Sequence, residues 1–296
     1  VTRRFCHDVS DKEGIRSNSI YSLLVDDRGA VWVGHFQAGL DYSLYQNGLF
    51  RTYAYPPLFN SANLSIRSFV NRGQEKVIGS RDGLFYINEA TGVVKSFVKP
   101  VLTSDLILTI SFYQGEYYIG TYGGGMMVLN PETLSLKYFA QGDTELFQKG
   151  HIFCVKPDAK GNLWIGTSQG LFCYNGQTKQ IKHFTSANSQ LPEGNVYEVS
   201  FDSTGKGWIA TETGMCIYDP ASQSLRSNVF PEGFVNKDKV RTIYEDAGHN
   251  LYFIREKGSL FTSTLTMDRF QNRSIFSTLP DNSLMSVIED NQGWVW

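Results

Sequence analysis

A short sequence pattern recurs about every 44 residues along this chain. Most copies have an apolar residue twelve positions before a central anchor, an aspartate six before it and a glycine three before it. The anchor is usually aromatic and is usually followed by Ile or Val and then Gly. The seven anchors are Trp32, Val77, Tyr118, Trp164, Trp208, Tyr252 and Trp296. Seven copies in register restrict the chain to architectures built from similar stacked units.

Each repeat is typical of four short β-strands. The first strand is apolar and alternating, and Asp-x-x-Gly then predicts a tight hairpin, because aspartate favours the first turn position and glycine accepts the positive φ. The anchor strand follows, then a glycine-containing loop, a third strand and a fourth strand ending in aromatic residues. Four strands with their turns fill about 44 residues, which is the blade length of a β-propeller. The alternative, a β-solenoid, normally uses shorter repeats.

The sequence therefore predicts an all-β fold, with one domain over residues 1–296. The predicted architecture is a seven-bladed β-propeller of four-stranded antiparallel blades. Six repeats are nearly complete, and the seventh, from Ser283 to Trp296, is incomplete. Residues 1–14 are expected to supply an outermost strand that closes the ring on the seventh blade. Because the sequence starts at a valine and stops within a repeat, we expect it to be a piece of a longer protein.

Composition excludes several classes of function. The chain has 27 Lys and Arg against 29 Asp and Glu, so no positive field points to nucleic acid or an anionic membrane. No apolar run reaches the roughly 18 residues of a membrane span. The four cysteines form no CxxC motif and have no histidine at metal-ligand spacing, so we expect them to fill strand positions as small apolar residues. The alternative that two of them form one disulfide is not excluded by the sequence.

Residues 166–170 (GTSQG) match the G-x-S-x-G pattern of serine hydrolases. In those enzymes the serine lies on a sharp turn from a strand into a helix. Here a strand is expected to follow, and the other repeats place Phe, Arg, Tyr or Glu in the slot of Ser168. We therefore predict that Ser168 is not a nucleophile. The five histidines form no HExxH motif, so no catalytic residue, metal site or cofactor is predicted.

Several repeats share all or part of the run N-x-V-x-x-I-x-x-D-x-x-G-x-[IL]-W-[IV]-G-T-x-x-G-L. It occurs at 18–40, 151–171, 195–215 and from Asn282 to the last residue, and the opening segment with Phe5 and residues 14–18 (GIRSN) also fits. This run resembles the propeller repeats of periplasmic sensors in hybrid two-component regulators of Bacteroides-type gut bacteria. In such proteins two propellers precede a β-sandwich, one transmembrane helix and histidine kinase, receiver and DNA-binding modules. The repeats anchored on Val77 and Tyr252 lack the tryptophan.

The resemblance implies that this chain is the first propeller, in the periplasmic part of an inner-membrane protein. The chain would then take part in recognising a polysaccharide-derived ligand and in signalling to a histidine kinase. The expected partners are an oligosaccharide, the second propeller and the β-sandwich of the same chain, and a second copy in a full-length homodimer. No nucleic acid contact is expected of this domain. The fragment would not be an enzyme, although the full-length protein would be a sensor histidine kinase.

Candidate ligand-binding residues lie in the loops that follow the anchor strands, which in a propeller emerge on one face around the central channel. They are His35, Phe36, Arg81, Asp82, Tyr122, Gln169, Glu212, Arg255, Glu256 and Lys257. Aromatic faces with planar hydrogen-bonding groups suit a sugar, and Arg81 or Arg255 could bind a carboxylate or sulfate with its two-pronged guanidinium. His35 and Arg255 stand where four other repeats have Ser or Thr. The alternative is that these are solvated loop residues or contacts to a neighbouring domain.

Two other functions remain open at this point. One is a protein-interaction scaffold, which would show an apolar or aromatic surface patch. The other is a propeller-type glycan lyase or hydrolase that uses Asp82, Glu212, Glu256 or His35. Hydrolysis would require two acids about 5 to 10 Å apart in one pocket.

Overall fold

The computed structural model describes residues 5–43, 49–55, 59–60, 64–139, 144–227, 237–255, 260–265, 271–272 and 284–296. These residues form six four-stranded antiparallel sheets, the blades of a β-propeller, in which each strand pairs with the next along the chain. The all-β class predicted from the sequence is confirmed. No helix in these ranges is both long and apolar enough to cross a membrane.

The first three blades share one order of strands. Blade 1 consists of β1 (Ile20–Val25), β2 (Val31–His35), β3 (Leu40–Ser43) and β4 (Phe50–Thr52). A separate hairpin of β5 (Ala54–Tyr55) and β6 (Phe59–Asn60) comes next. Blade 2 consists of β7 (Ile66–Arg72), β8 (Glu75–Ser80), β9 (Leu84–Asn88) and β10 (Val93–Phe97). Blade 3 consists of β11 (Ile107–Tyr113), β12 (Glu116–Thr121), β13 (Met126–Leu129) and β14 (Leu136–Tyr138).

A short helix, α1 (Thr144–Lys149), precedes three further blades. Blade 4 consists of β15 (Ile152–Pro157), β16 (Asn162–Thr167), β17 (Gly170–Asn175) and β18 (Ile181–Phe184). Blade 5 consists of β19 (Val196–Phe201), β20 (Gly207–Thr211), β21 (Gly214–Asp219) and β22 (Ser224–Arg226). Blade 6 consists of β23 (Val240–Glu245), β24 (Asn250–Arg255), β25 (Leu260–Thr264) and β26 (Gln271–Asn272).

The predicted number of seven blades is wrong, because the described residues form six four-stranded sheets. The seventh repeat gives only an isolated antiparallel bridge between Glu289 and Val295, flanked by two backbone hydrogen bonds between Ile288 and Trp296. The segment 284–296 is long enough for one hairpin, whereas four strands need about 44 residues. A lone hairpin does not make a blade. No third or fourth strand joins it within the described ranges.

The Asp-x-x-Gly turn and the anchor tryptophan form one hydrogen-bonded unit. In blade 5, Oδ1 of Asp202 accepts the backbone N–H groups of Thr204 and Lys206, and Oδ2 accepts Nε1–H of Trp208 at 2.8 Å. Gly205 has φ +83° and donates its N–H to the Asp202 carbonyl, so the turn needs the left-handed conformation that glycine adopts freely. The same aspartate-to-indole bond recurs at Asp26–Trp32, Asp158–Trp164 and Asp290–Trp296. The predicted turn-forming role of the aspartate is therefore confirmed, and it extends to fixing the anchor ring.

The chain divides into two compact units by its internal contacts. Unit 1 contains Val1–Ile110 with Ile288–Trp296, and unit 2 contains Ser111–Val287. In unit 1, Trp32 of blade 1 packs in one cluster with Ile66, Phe69 and Ile78 of blade 2. In unit 2, Trp164 packs with the inner residues of blade 5. The anchor rings thus fill the space between consecutive blades, where burial of such a side chain stabilises by about 3 kcal/mol. The single domain predicted over residues 1–296 stays a prediction.

The predicted closing strand at residues 1–14 lies partly outside the described residues. Its described part, 5–14, contains no strand residue. Phe5 nevertheless stacks on Trp296, with ring centroids 5.4 Å apart, and meets Phe50 edge-on at 5.3 Å. Both ends of unit 1 therefore pack against blade 1, and closure by a strand stays a prediction.

The four cysteines are all free thiols, so the disulfide left open by the sequence does not form. Cys154 and Cys216 are buried, Cys173 is half-buried and Cys6 is exposed. Burial raises the pKa of Cys154 to about 12, which removes the reactive thiolate at neutral pH. The buried pair fill strand positions as predicted.

Candidate functional site

The loops after the anchor strands of blades 2 to 5 are built alike. Each anchor strand ends in a fully buried hydroxyl residue whose Oγ donates to the carbonyl of the loop glycine; the four pairs are Ser80–Gly83, Thr121–Gly125, Thr167–Gly170 and Thr211–Gly214, at 2.8 to 3.1 Å. In blades 2 to 4 the same oxygen accepts a backbone N–H from within the loop. This ST-type turn fixes the loop backbone, so the variable residues that follow it are held in place.

His35 takes this position in blade 1 but lies inside the protein. Its ring Nε2 is 2.9 Å from Oδ2 of Asp41, and both side chains are almost completely buried. Asp41 also accepts the backbone N–H of Arg16 and the hydroxyl of Thr52. The histidine and aspartate therefore connect β2, β3, β4 and the segment before β1. Because its ring is not exposed, His35 supports the first blade from within.

Arg255 takes the same position in blade 6 and is also paired internally. Its guanidinium forms an ion pair with Asp238 and lies over the ring of Phe261, 4.9 Å from the centroid. Burial lowers the pKa of this guanidinium from its ordinary value. The adjacent candidates Glu256 and Lys257 lie outside the described residues.

The candidates of unit 1 come together around Ser65. The hydroxyl of Ser65 accepts the backbone N–H of Gln37, and its carbonyl accepts the backbone N–H of Arg81. The loop carrying Phe36 and the loop carrying Arg81 and Asp82 therefore lie side by side, with both Arg81 and Asp82 exposed.

Sequence analysis missed a set of bulged residues in the inner strands. In five described hairpins the pairing of the first and second strands shifts register by one residue at the same place in the repeat. A β-bulge of this kind bends the strand and redirects a side chain, and such bulges are common next to binding sites. The bulged residues are Tyr21, Arg67, Phe153, Tyr197 and Arg241. All five are half-buried and all are aromatic or arginine. In the sequence, these residues could have been identified by their position directly after the recurring apolar residue of the first strand.

In unit 1 the bulged residues Tyr21 and Arg67 contact each other. The guanidinium carbon of Arg67 lies 4.6 Å from the centroid of Tyr21, and Phe36 meets the same ring edge-on at 5.5 Å. Nε of Arg67 is buried and has no hydrogen-bond partner within the described residues. A buried polar atom left in this way is uncommon in native proteins, and a bound water or ligand is one way to satisfy it.

In unit 2 the bulged residues continue into a line of rings, which we call the aromatic run: Tyr122, His151, Phe153 and Tyr197. The centroids of successive rings are 4.0, 6.2 and 5.1 Å apart. Tyr122 is 50% exposed and stacks on His151 with an interplanar angle of 22°. Nδ1 of His151, like Nε of Arg67, is buried without a partner among the described residues.

Polar side chains border the far end of the aromatic run. Nδ2 of Asn195 lies 3.1 Å from the hydroxyl of Tyr197 and 2.8 Å from Oε2 of Glu212. Nζ of Lys239 lies 4.5 Å from the centroid of Tyr197, a cation–π distance. Two candidates from the sequence, Tyr122 and Glu212, are therefore linked through residues that the sequence analysis had not singled out.

Gln169 is exposed in the neighbouring loop, where its backbone carbonyl accepts a hydrogen bond from Nε2 of His183 at 2.8 Å. Ser168, beside it, donates its backbone N–H to the carbonyl of His151. The strand β17 follows directly, as predicted, so the strand-to-helix turn of a hydrolase serine is absent from this segment. Within the described ranges, no group of three or more His, Cys, Asp or Glu side chains could hold a metal ion.

Comparison with known proteins confirms the resemblance found in the sequence. The family model described as "Two component regulator propeller" matches residues 14–37 and 147–169. No curated protein sequence matches the chain.

Among solved structures, the chain is similar to the extracellular domains of two putative hybrid two component systems from B. thetaiotaomicron. For BT3049 the TM-score is 0.66 at 22% identity, covering 98% of this chain and 45% of that one. For BT4673 the TM-score is 0.74 at 17% identity, covering 99% and 38%. The chain thus spans less than half the length of either protein.

The β-propeller domain of Myceliophteria thermophila Cps50 (Swd1) is also similar, with a TM-score of 0.63 at 12% identity and 87% coverage of both chains. At these identities the structural similarity establishes the fold, which is a β-propeller. The family match adds that the segments 14–37 and 147–169 are similar in sequence to the repeats of two-component regulator propellers.

Proposed function

We propose that this chain is a non-catalytic recognition domain of a two-component regulatory receptor and that it binds a fragment of a polysaccharide. The observation that carries the proposal is the aromatic run of unit 2, where an exposed ring held by stacking is followed by further rings and by Asn195 and Glu212. Aromatic faces with a few convergent hydrogen-bonding groups are the ordinary composition of a small-ligand site.

The setting of this domain follows from the same proposal. The chain would lie in the periplasmic part of an inner-membrane receptor, followed by a second propeller and a β-sandwich, and the full-length receptor would act as a homodimer. The family match supports this setting, and so does the length of the two B. thetaiotaomicron proteins, which exceeds that of this chain. A ligand would signal by binding one arrangement of the dimer more tightly than another, since only differential affinity shifts a conformational equilibrium.

Titration calorimetry with short oligosaccharides from several polysaccharides tests the proposal on this chain. We expect at least one fragment to bind, and mass spectrometry of the recovered fragment should show an unchanged mass. Cleavage of the fragment would identify an enzyme instead. If no fragment binds while the chain is folded by circular dichroism, recognition does not belong to this domain.

A further inference from the structure

Blade 3 departs from the other blades at its anchor. Tyr118 stands where four other repeats have tryptophan, and Phe112 stands six residues before it, where those four repeats have aspartate. The anchor of blade 6 is also a tyrosine, but there Asp246 accepts the hydroxyl at 3.0 Å. The hydroxyl of Tyr118 makes no hydrogen bond with any described residue. Blade 3 therefore has an anchor whose polar end the fold does not use.

The smaller anchor leaves space between blades 3 and 4. Tyr174 and Tyr218 hold the same position of the repeat, ten residues after the anchors of their own blades. Between blades 4 and 5, Trp164 packs on Tyr218 with ring centroids 4.5 Å apart. Within the described residues, Tyr118 makes no such ring contact with Tyr174, and a cavity of about 290 Å³ adjoins both rings. An indole ring thus fills, in the next pair of blades, a position that is open here.

The walls of this cavity, which we call the blade 3–4 cavity, are buried and mostly apolar. Tyr118, Phe139 and Tyr174 line it together with Val128. Phe139 meets both tyrosine rings edge-on, Tyr118 at 6.0 Å and Tyr174 at 5.1 Å, so the walls are held in place by their own packing. Such preformed walls reduce the conformational entropy that is lost when a ligand binds. The volume is near the lower limit of ordinary small-ligand pockets.

Two hydroxyl groups of the lining are available as donors. Tyr118 and Tyr174 are 7% and 3% exposed, and neither hydroxyl is hydrogen-bonded to a described residue. Burial raises the pKa of Tyr118, so its hydroxyl keeps its proton at neutral pH. By contrast, the hydroxyl of the nearby Tyr113 donates to the carbonyl of Gly161 and accepts a backbone N–H. The two lining hydroxyls therefore suit a ligand that carries an acceptor.

One cation beside the cavity has no counter-charge. Three charged side chains contribute to the lining: Glu116, Lys137 and Lys179. Lys137 forms an ion pair with Glu116 at 3.0 Å, so these two charges offset each other. Nζ of Lys179 lies 5.9 Å from the ring centroid of Tyr174, and this lysine forms no ion pair with any described residue. The lining thus has a net charge of one positive unit, which favours an anionic group.

We propose that the blade 3–4 cavity binds a small aromatic carboxylate. The aromatic ring of the ligand would take the position that an indole ring takes between blades 4 and 5. Its carboxylate would accept a hydrogen bond from a tyrosine hydroxyl of the lining and would lie close to Lys179. This inference goes beyond the proposed function and does not depend on it, because it uses no residue of the aromatic run.

Titration calorimetry on the complete chain tests the ligand class. The probes are indole-3-acetate and phenylacetate, with indole, acetate and tryptamine as their matched controls. We expect at least one aromatic carboxylate to bind at least about tenfold more tightly than indole, because indole lacks the charged acceptor. Acetate, which lacks the ring, should not bind measurably. Tryptamine carries an ammonium group on the same ring and should bind more weakly than indole.

Four variants locate the site. Tyr118→Trp should abolish binding, because it restores the ring that four other repeats have and fills the cavity. Tyr118→Phe keeps the ring and should weaken binding about tenfold by removing the hydroxyl. Lys179→Met should weaken it about threefold and reduce its salt dependence, since this lysine is exposed. Lys182→Met is the matched control, because Lys182 belongs to the same blade, does not line the cavity and bonds to Gln223.

Each variant is first shown to be folded by circular dichroism and thermal unfolding. The indole N–H of Tyr118→Trp has no aspartate beside it, so if this variant is unfolded, Tyr118→Phe and Lys179→Met decide the location instead. If a ligand binds the unmodified chain and every folded variant equally, the cavity is not its site and the inference is wrong.

The remaining outcomes concern the ligand class. If indole binds as tightly as the aromatic carboxylates, or if Lys179→Met has no more effect than Lys182→Met, recognition of a carboxylate is wrong. If neither aromatic carboxylate binds the folded chain, the inference is overturned. The proposed function would stand in each case, because it is tested with oligosaccharides.

Discussion

Replacing Asp202 by alanine should destabilise unit 2 by about 3 kcal/mol, because this carboxylate satisfies four donors at once. Its oxygens accept the backbone N–H groups of Thr204 and Lys206, the hydroxyl of Thr204 at 2.6 Å and the indole Nε1–H of Trp208 at 2.8 Å. Trp208 is almost completely buried, so its N–H would be left without water. Leaving one such buried donor unsatisfied costs about 1–3 kcal/mol, and the partly exposed turn donors add less.

A double-mutant cycle separates the contribution of the indole bond from that of the turn. Urea unfolding, followed by circular dichroism, would be measured for the unmodified chain, Asp202→Ala, Trp208→Phe and the double variant. In the phenylalanine background the indole donor is gone, so Asp202→Ala should cost about 1–2 kcal/mol less than in the unmodified chain. The control is Asp219→Ala, whose exposed carboxylate caps a turn through Ala221 and whose loss should cost clearly less than the loss of Asp202.

The cycle can refute the reasoning directly. A coupling free energy near zero would show that the carboxylate acts only on the turn and that the indole N–H is satisfied in another way. A cost for Asp219→Ala as large as that for Asp202→Ala would show that any turn aspartate contributes equally. Either result would remove the explanation given for the recurring aspartate and tryptophan.

Three further changes are expected to affect stability in distinct ways. Asp41→Ala should cost about 3 kcal/mol or more in urea unfolding, because buried His35 loses its partner together with two other donors; a cost below about 1 kcal/mol would contradict this. Gly125→Ala should cost at least about 1 kcal/mol more than Gly161→Ala, since both glycines have positive φ but only the first faces a backbone carbonyl; equal costs would refute the clash. Burial raises the pKa of Cys154 from about 9 to about 12, so stability is intact below pH 9 and is lost as the pH rises above it. The loss between pH 8 and pH 10 should therefore be about 1.4 kcal/mol smaller in Cys154→Ala, and identical slopes would contradict the shift.

The parts of the fold that the sequence predicted are those governed by local interactions. The Asp-x-x-Gly turn and its tryptophan lie within seven residues, from Asp202 to Trp208, so the pattern is visible in one repeat and recurs in the next. The strands around it follow from alternation and from the fixed turn. The helix α1 was missed because six residues are too few to show helical periodicity.

The number of blades could not be predicted from the local sequence pattern. The seventh repeat has its aspartate, glycine and tryptophan, and the turn forms, with Trp296 bonded to Asp290. A blade also requires strands that pair beyond this hairpin, and the segment 284–296 gives only one isolated bridge. The local motif therefore predicts the hairpin turn but does not predict the number of blades.

The candidate binding residues were the hardest to predict, since their role depends on which side chains they meet once the blade has folded. His35 and Arg255 deviate from the repeat and were favoured as surface groups, yet the structure pairs them with Asp41 and Asp238. Deviation from a repeat shows that a position has a special environment. It does not show whether that environment is a ligand or another side chain of the same protein.

Under the proposed function, the bulges are the positions at which one repeated scaffold would be adapted to a particular ligand. The turn, the anchor ring and the hydroxyl after it are the same in most blades, because any change there costs stability in every sheet that it contacts. Substitution at the bulged position does not carry this cost in stability, since the register shift removes its residue from the regular pairing. Its side chain can therefore vary between Tyr, Arg and Phe without altering the blade. The residues that stabilise the blades thus differ from the bulged residues, and under the proposed function a change of ligand would require substitutions at the bulges and the adjoining loops alone.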